Sequence, residues 1–422
     1  MNFKKIGKFV VVLMFLLVIL AGCNLNFQPG GEFEEEEYIV TQEDMDTLVA
    51  QNNEFALSFY EQFEEESDVF YSPYSLYTAL TMLYNAAEAD TATKMNEELG
   101  IELGDRALNK ANLEFITELL SLNAEESYKF NTGNAFWGNE DYNYNQAYLD
   151  LLEEYYLADT DLIDMGNPEV IDEIINGWIS EQTNDRIENM IDPDNISAAT
   201  VMILANAIYF HAEWENQFCE DRTKDIDFTA IDSEEREVPM MWQEKRLPYY
   251  SADNFSALKL PYKDNNMYML VLIPDEYDGL DEFENDLNVD KIEEIKENLE
   301  EELLDLSFPK FENEFDYNLN EDIQEYGLDF IYNQDESNFS NMYSNDDEES
   351  CPAWVGNILQ DTFISVDESG TEAAGATVIE VPVDEGGVER TSVTVNRPFT
   401  YLIMDGQTDS ILFMGRFTGL DI

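Results

Sequence analysis

Between Thr200 and Phe210 the chain reads Thr-Val-Met-Ile-Leu-Ala-Asn-Ala-Ile-Tyr-Phe, an almost unbroken apolar run. Successive strand residues point to opposite faces, so a run of this kind belongs to a strand covered on both sides. That feature demands a large sheet with layers above and below it. The region before it is helical in pattern. Met45, Leu48, Asn52, Phe55, Phe59 and Phe63 keep helical spacing, interrupted only by Asn52. Ser72-Pro73 suits a helix start, Asp90 to Gly100 a helix closed by a C-cap glycine, and 145–158 and 168–183 two more. From 247 onward strands dominate. Phe255 to Tyr262 and Met267 to Ile273 flank the turn Asp264-Asn-Asn266. An acidic helix over 289–303 gives way to a strand through Phe311, and strands over 399–404 and 410–417 are joined by Asp405-Gly-Gln-Thr-Asp409. Helices first and strands later, with no βαβ rhythm and no repeat, predict a single α+β domain.

A second stretch is unusual for its position. Val366-Asp-Glu-Ser-Gly-Thr-Glu-Ala-Ala-Gly-Ala-Thr377 joins a strand-like run, Thr362 to Val366, to a long segment without large core residues. Ser392-Val-Thr-Val-Asn-Arg-Pro-Phe399 then resumes a strand pattern. Thr371, Ala373, Gly375 and Thr377 alternate with Glu372, Ala374 and Ala376, so one face of an extended chain would be wholly small and uncharged. Such a face can slide between two existing strands without burying a charge. The residues fit a conformational trap; they also fit a small-residue surface loop.

The charge narrows the partners. Against 92 acidic residues stand 21 basic ones and a single histidine, a net charge of −71. This surface repels nucleic-acid phosphates and anionic headgroups. It suits concentrated salt, where at about 1 M the screening length is about 3 Å and carboxylate repulsion is quieted. With 44% hydrophobic residues the chain still has the material for a sizeable core. At the N-terminus, Lys4, Lys5 and Lys8 precede an apolar segment, Val10 to Leu20, too short for a comfortable span. Leu20-Ala-Gly-Cys23 matches a lipobox, with Cys23 the lipidated first residue of the mature protein; a plain secretory signal is the alternative. The expected organisation is a signal peptide at 1–22, a lipidated acidic tether at 23–38 and one domain at 39–422. A two-chain lipid on Cys23 would hold the protein, expected as a monomer, at the outer face of the membrane; otherwise it is secreted. Asn195, Asn254 and Asn338 open sequons.

No catalytic constellation is visible. His211, in Tyr209-Phe-His-Ala-Glu-Trp214, is the sole imidazole and reads as structural. HExxH, CxxC, phosphate loops and dinucleotide fingerprints are absent from the sequence. Among 92 acids a chance carboxylate pair says nothing of hydrolysis or of a metal site. No enzyme activity, cofactor or metal is expected.

A series of landmarks runs in order along the chain: Asp68-Val-Phe-Tyr-Ser-Pro-Tyr-Ser-Leu76, Asn96-Glu-Glu-Leu-Gly100, Ile174-Ile-Asn-Gly-Trp178 with Thr183 and Ile187, Leu204-Ala-Asn-Ala-Ile-Tyr-Phe210 with Trp214 and Phe218, Val238-Pro-Met-Met241, Leu260-Pro-Tyr262, Phe308-Pro-Lys-Phe311, Arg397-Pro-Phe399 and Leu412-Phe-Met-Gly-Arg416. On these landmarks the chain resembles, from about residue 40 to its end, the serpin family. The resemblance implies helices packed on a large mixed central sheet, two further sheets, and an exposed reactive loop over about 368–391. A protease attacks that loop and forms an acyl-enzyme. The loop then enters the sheet and the trapped enzyme cannot deacylate. Carried over, Glu368 opens a hinge formed by Gly370, Thr371, Glu372, Ala373, Ala374, Gly375 and Ala376. Lys310 is placed to pair with Glu368 beside Trp214. Ser72, Ser75 and Asn206 match a polar cluster that gates sheet opening. There the chain departs from the family, with Gln360-Asp361 in place of a histidine-lysine pair. Register puts the scissile bond at Asp384-Glu385, with an immediate neighbour such as Val383, or Arg390, as alternatives. The resemblance sets Cys219 and Cys351 near opposite ends of the sheet, as unpaired and largely buried thiols. The implied function is suicide-substrate inhibition of a serine or cysteine endopeptidase; the alternative is a non-inhibitory serpin acting as a cell-surface binding or chaperone-like protein.

Overall fold

The computed structural model describes residues 38–63, 67–124, 127–187, 190–193, 196–344, 353–371 and 390–420. The first helix, Gln42–Tyr60, opens with a capping box in which the Thr41 hydroxyl accepts from the Asp44 N–H while Asp44 accepts from the Thr41 N–H. Its stripe buries Leu48, Asn52, Phe55 and Phe59. The helix Pro73–Ala86 starts from Ser72, whose Oγ accepts from Ser75 N–H at 3.1 Å, with Pro73 at its first turn. The helix Ala89–Glu98 ends two residues before Gly100, whose φ of +60° favours glycine. Helices Asp105–Ser121 and Gln146–Tyr155 follow. The expected helix at 168–183 forms in three pieces, Pro168–Ile171, a wide turn at Asp172–Asn176, and Gly177–Gln182.

Among the described residues the strands make two sheets. The six-stranded sheet runs Phe311–Asn318, Leu359–Val366, Gly370–Thr371, Met202–Glu213, Tyr128–Asn139 and Asp159–Ile163. The strand anticipated at Thr200 to Phe210 lies inside it and is covered on both faces. Its Ile208, Phe210 and Ala212 join the main core, while Ile203 and Ala205 join a second core beneath Ile171, Ile175 and Ile179. The remaining nine strands form one continuous sheet rather than the two further sheets expected. The cause is the strand Glu235–Ser251, 17 residues long, which pairs with Lys224–Thr229 and Glu300–Pro309 along one part and with Phe255–Pro261 at its end. The chain leaves this sheet for the central one at Lys310, between strands Glu300–Pro309 and Phe311–Asn318. The acidic helix is shorter than expected, ending at Asn298. His211 lies within the strand Met202–Glu213 and is buried. No helix among the described residues is long and apolar enough to cross a membrane.

Candidate functional site: the loop hinge and the seam of the central sheet

The site is built on a tight turn. Asp367 accepts through its carboxylate from the Ser369 N–H at 2.7 Å and the Gly370 N–H at 3.1 Å, and its own N–H donates to the Gly370 carbonyl at 2.9 Å. The turn folds the chain back, so that Gly370–Thr371 enters the sheet as a short strand antiparallel to both neighbours. Thr371 sits opposite Val366 on one side and Ala212 on the other. Gly370 must be glycine here, because a Cβ would lie 2.0 Å from the Ala212 carbonyl oxygen. Thr371 is 2% exposed, and its hydroxyl shares a hydrogen bond of 2.7 Å with the Tyr262 phenol. Burial pushes that phenol upward, so it stays neutral.

The turn is held from above. Lys310 Nζ donates to one oxygen of Glu368 and Thr223 Oγ1 to the other, both at 2.6 Å. Burial raises the Glu368 carboxyl, but the Lys310 and Thr223 hydrogen bonds together outweigh it and hold the group below its ordinary value. Trp214 closes the back: its indole N–H donates to the Asp367 carbonyl and its backbone N–H to the Ser369 carbonyl, each at 2.9 Å. The Phe218 N–H donates to the Glu368 carbonyl at 2.8 Å. The Trp214 ring stacks on Tyr262, 4.5 Å between centroids and 7° from parallel. The structure thus brings together Lys310, Trp214, Glu368, Gly370 and Thr371. Hinge residues Glu372 to Ala376, the bond Asp384-Glu385, Cys23 and Cys351 lie outside the described residues.

A polar cluster sits lower in the seam. Gln360 pairs twice with the backbone of Ser72, accepting from its N–H at 3.0 Å and donating to its carbonyl at 3.1 Å. Ser72 Oγ, besides capping its helix, donates to the Leu412 carbonyl at 2.7 Å. The Ser75 hydroxyl donates to Asn206 Oδ1, and Asn206 donates to Asn134 at 2.6 Å. The glutamine therefore ties the strand Leu359–Val366 to the helix Pro73–Ala86, as its donor-acceptor amide allows. Between the two levels a cleft lies among Thr371, Tyr209, Phe363, Thr362, Arg186 and Ile208. Arg186 reaches it from the segment after the helix Gly177–Gln182 and stacks 5.0 Å over Phe363.

Thr223, Tyr262, Asp367 and Asn134 were not among the expected site residues. Only Asp367 carries a local signal, an Asp two residues before a Ser-Gly pair whose N–H groups can donate to its carboxylate. The others reach the site through tertiary contact. Cys219 corrects an expectation: it is a free, exposed thiol. Its neighbour Phe218 fills the core while the chain turns outward at 219, with the Cys219 N–H bonded to the Trp242 carbonyl.

Residues 50–419 match the family model described as Serpin (serine protease inhibitor). The chain is 30% identical over 399 residues to human Serpin B4, covering 89% of this chain and all of that one. It is 32% identical over 370 residues to an uncharacterized serpin-like protein of Thermococcus kodakarensis, covering 86% and 84%. Among solved structures, the thermophilic serpin tengpin in its native state superposes with a TM-score of 0.80 at 26% identity, covering 91% of this chain and 96% of that one. With a family model spanning most of its length and this sheet arrangement, the chain belongs to the serpin family, whose members are in general protease inhibitors rather than catalysts.

Proposed function

We infer that the protein is a suicide-substrate inhibitor of a serine or cysteine endopeptidase. The observation that carries this reading is the placement of Gly370–Thr371 between strands Leu359–Val366 and Met202–Glu213. The first two hinge residues already occupy the top of the seam, and the cleft below Thr371 lies between the same two strands. Continuing that register would set Ala373 beside Ile364 and Phe210, and Gly375 beside Thr362 and Ile208, on the core side. Small residues suit those positions, since nothing large or charged must leave water as the loop enters. A protease that cleaves at Asp384-Glu385 would be carried along as its acyl-enzyme. Each added residue gains two ladders of hydrogen bonds from strand edges on either side. The gate at Gln360 and Ser72 would set how readily the seam parts. In this reading Cys23 carries the lipid that keeps the inhibitor outside the cell, and the acidic surface serves work in concentrated salt.

The test mixes the mature domain with subtilisin-, trypsin- and caspase-type enzymes in high salt and resolves the products on denaturing gels. A covalent band of enzyme plus serpin, with a small C-terminal fragment whose mass locates the cut, is the expected result. Cleavage by every enzyme with no covalent band would overturn inhibition and leave the non-inhibitory binding reading.

A further inference from the structure

The two strands at the edge of the central sheet place carboxylates directly opposite one another. Asp316 on Phe311–Asn318 pairs in register with Asp361 on Leu359–Val366. Both lie on the face away from the main core, the face on which Leu359 packs into the second core beneath the helix Gly177–Gln182. Side chains directly opposite on one face of an antiparallel pair lie about 4.5–5.5 Å apart at Cβ, so the two carboxyls face each other across the strands. Two ionised carboxylates have no donor to offer each other, so a proton on one of them relieves the repulsion and allows a hydrogen bond between them. Asp361 Oδ1 is sealed from solvent and has no hydrogen-bond partner among the described residues.

Among the described residues, a carboxylate and a guanidinium flank the pair. On the partner strand the next outward residue is Glu314, opposite Phe363. From the segment following Gly177–Gln182 come Arg186, which lies on the Phe363 ring, and Asp185, which accepts from Ser180. Across the cleft, the strand Met202–Glu213 offers Asn206, Ala207 and Ile208, none titratable. Asp316 itself is exposed and Asp361 half-buried, so the inner group holds the proton.

We propose that Asp316 and Asp361 share one proton in the native protein, making the bond between the last two strands of the central sheet a pH-sensitive seam. Burial, and after it the Asp316 charge, push the Asp361 carboxyl up to about 7. The sign follows. A carboxyl raised in the folded state binds more protons folded than unfolded, so stability falls as pH rises from the ordinary carboxylate range through about 7. Loss of the proton sets two like charges across the strand pair. The consequence for inhibition rests on the proposed function: the register would bring Ala376 against the open side of Asp361, removing its remaining water, so loop entry favours the protonated pair.

The experiment follows the melting temperature of the intact protein at fixed, high ionic strength from about pH 6 to about pH 8.5, in the wild type, Asp361→Asn, Asp316→Asn and His211→Gln. Expected is a fall of about 2–3 degrees in the wild type and in His211→Gln, a smaller fall in Asp316→Asn, where burial still holds the Asp361 carboxyl up, and a flat profile in Asp361→Asn. If both asparagine variants keep the wild-type fall, or His211→Gln abolishes it, the shared proton is refuted. One asparagine variant that folds suffices for the comparison. Because no protease takes part, failure of the seam is distinguishable from failure of the inhibitory reading, which shows itself as absent covalent complex at every pH.

Discussion

Replacing Thr371 by arginine tests whether the seated hinge drives trapping. Thr371 is 2% exposed between Val366 and Ala212, with Tyr262 as its hydroxyl partner. An unpaired guanidinium held there costs roughly 3–5 kcal/mol. Withdrawing the hinge forfeits the Tyr262 hydrogen bond, about 1 kcal/mol, and about as much again in packing, about 2 kcal/mol in all. Withdrawal is the cheaper course, so the variant folds with its hinge outside the sheet. The difference, about 1–3 kcal/mol, then opposes the first step of insertion after cleavage, and a tenfold change in rate corresponds to about 1.4 kcal/mol. The ratio of trapping to release should fall roughly 5- to 150-fold. Thr371→Val, which removes only the hydroxyl, should lower it by about fivefold. The assay nicks the loop with a protease, purifies the nicked serpin and compares its melting temperature with that of the intact protein. Nicked wild type and Thr371→Val should melt well above their intact forms; nicked Thr371→Arg should not. If nicked Thr371→Arg gains as much as the wild type, the hinge assignment is wrong.

Three further outcomes are expected. Glu368→Gln replaces a charge-assisted contact to the partly exposed Lys310 and should cost about 1–2 kcal/mol, read as a lowered unfolding midpoint. Because the wild-type carboxyl is held below its ordinary value, that contribution is full above about pH 4.3 and is lost as pH falls through the lowered value, so the gap between wild type and variant should close in acid. Gln360→Leu strips partners from both the N–H and the C=O of buried Ser72 and should destabilise the intact protein by about 2–4 kcal/mol in denaturant titration, with a smaller loss refuting the gate. The melting temperature should climb steeply with salt, since 92 acids face 21 bases; a flat profile would remove the case for concentrated salt.

Much of the fold is legible along the chain because its signals are local. Ser72-Pro73 starts a helix through one capping hydroxyl and one fixed φ. The apolar run at Thr200 to Phe210 announces cover on both faces, and two separate cores provide it. Other elements speak weakly. The helix Asp105–Ser121 is anchored by polar contacts, with Asn109 bonded to Asn85 and Tyr156, so its stripe is diluted. The strand Tyr128–Asn139 mixes Lys129, Asn131, Thr132 and Asn134 with aromatics, and Asn134 is buried only because Asn206 and the Tyr156 carbonyl meet it.

What sequence alone determined is the material of the hinge: a glycine where no Cβ fits, small uncharged residues at alternate positions, and an acid at 368 with a lysine at 310 to receive it. Those choices are properties of residue type and spacing. Tertiary structure decided where the material goes. It seated Thr371 under Tyr262, set Thr223 on the second oxygen of Glu368, turned Cys219 outward, and placed Asp361 opposite Asp316. Each of these joins residues far apart in the chain, and strand register, which no local pattern encodes, is what makes them neighbours.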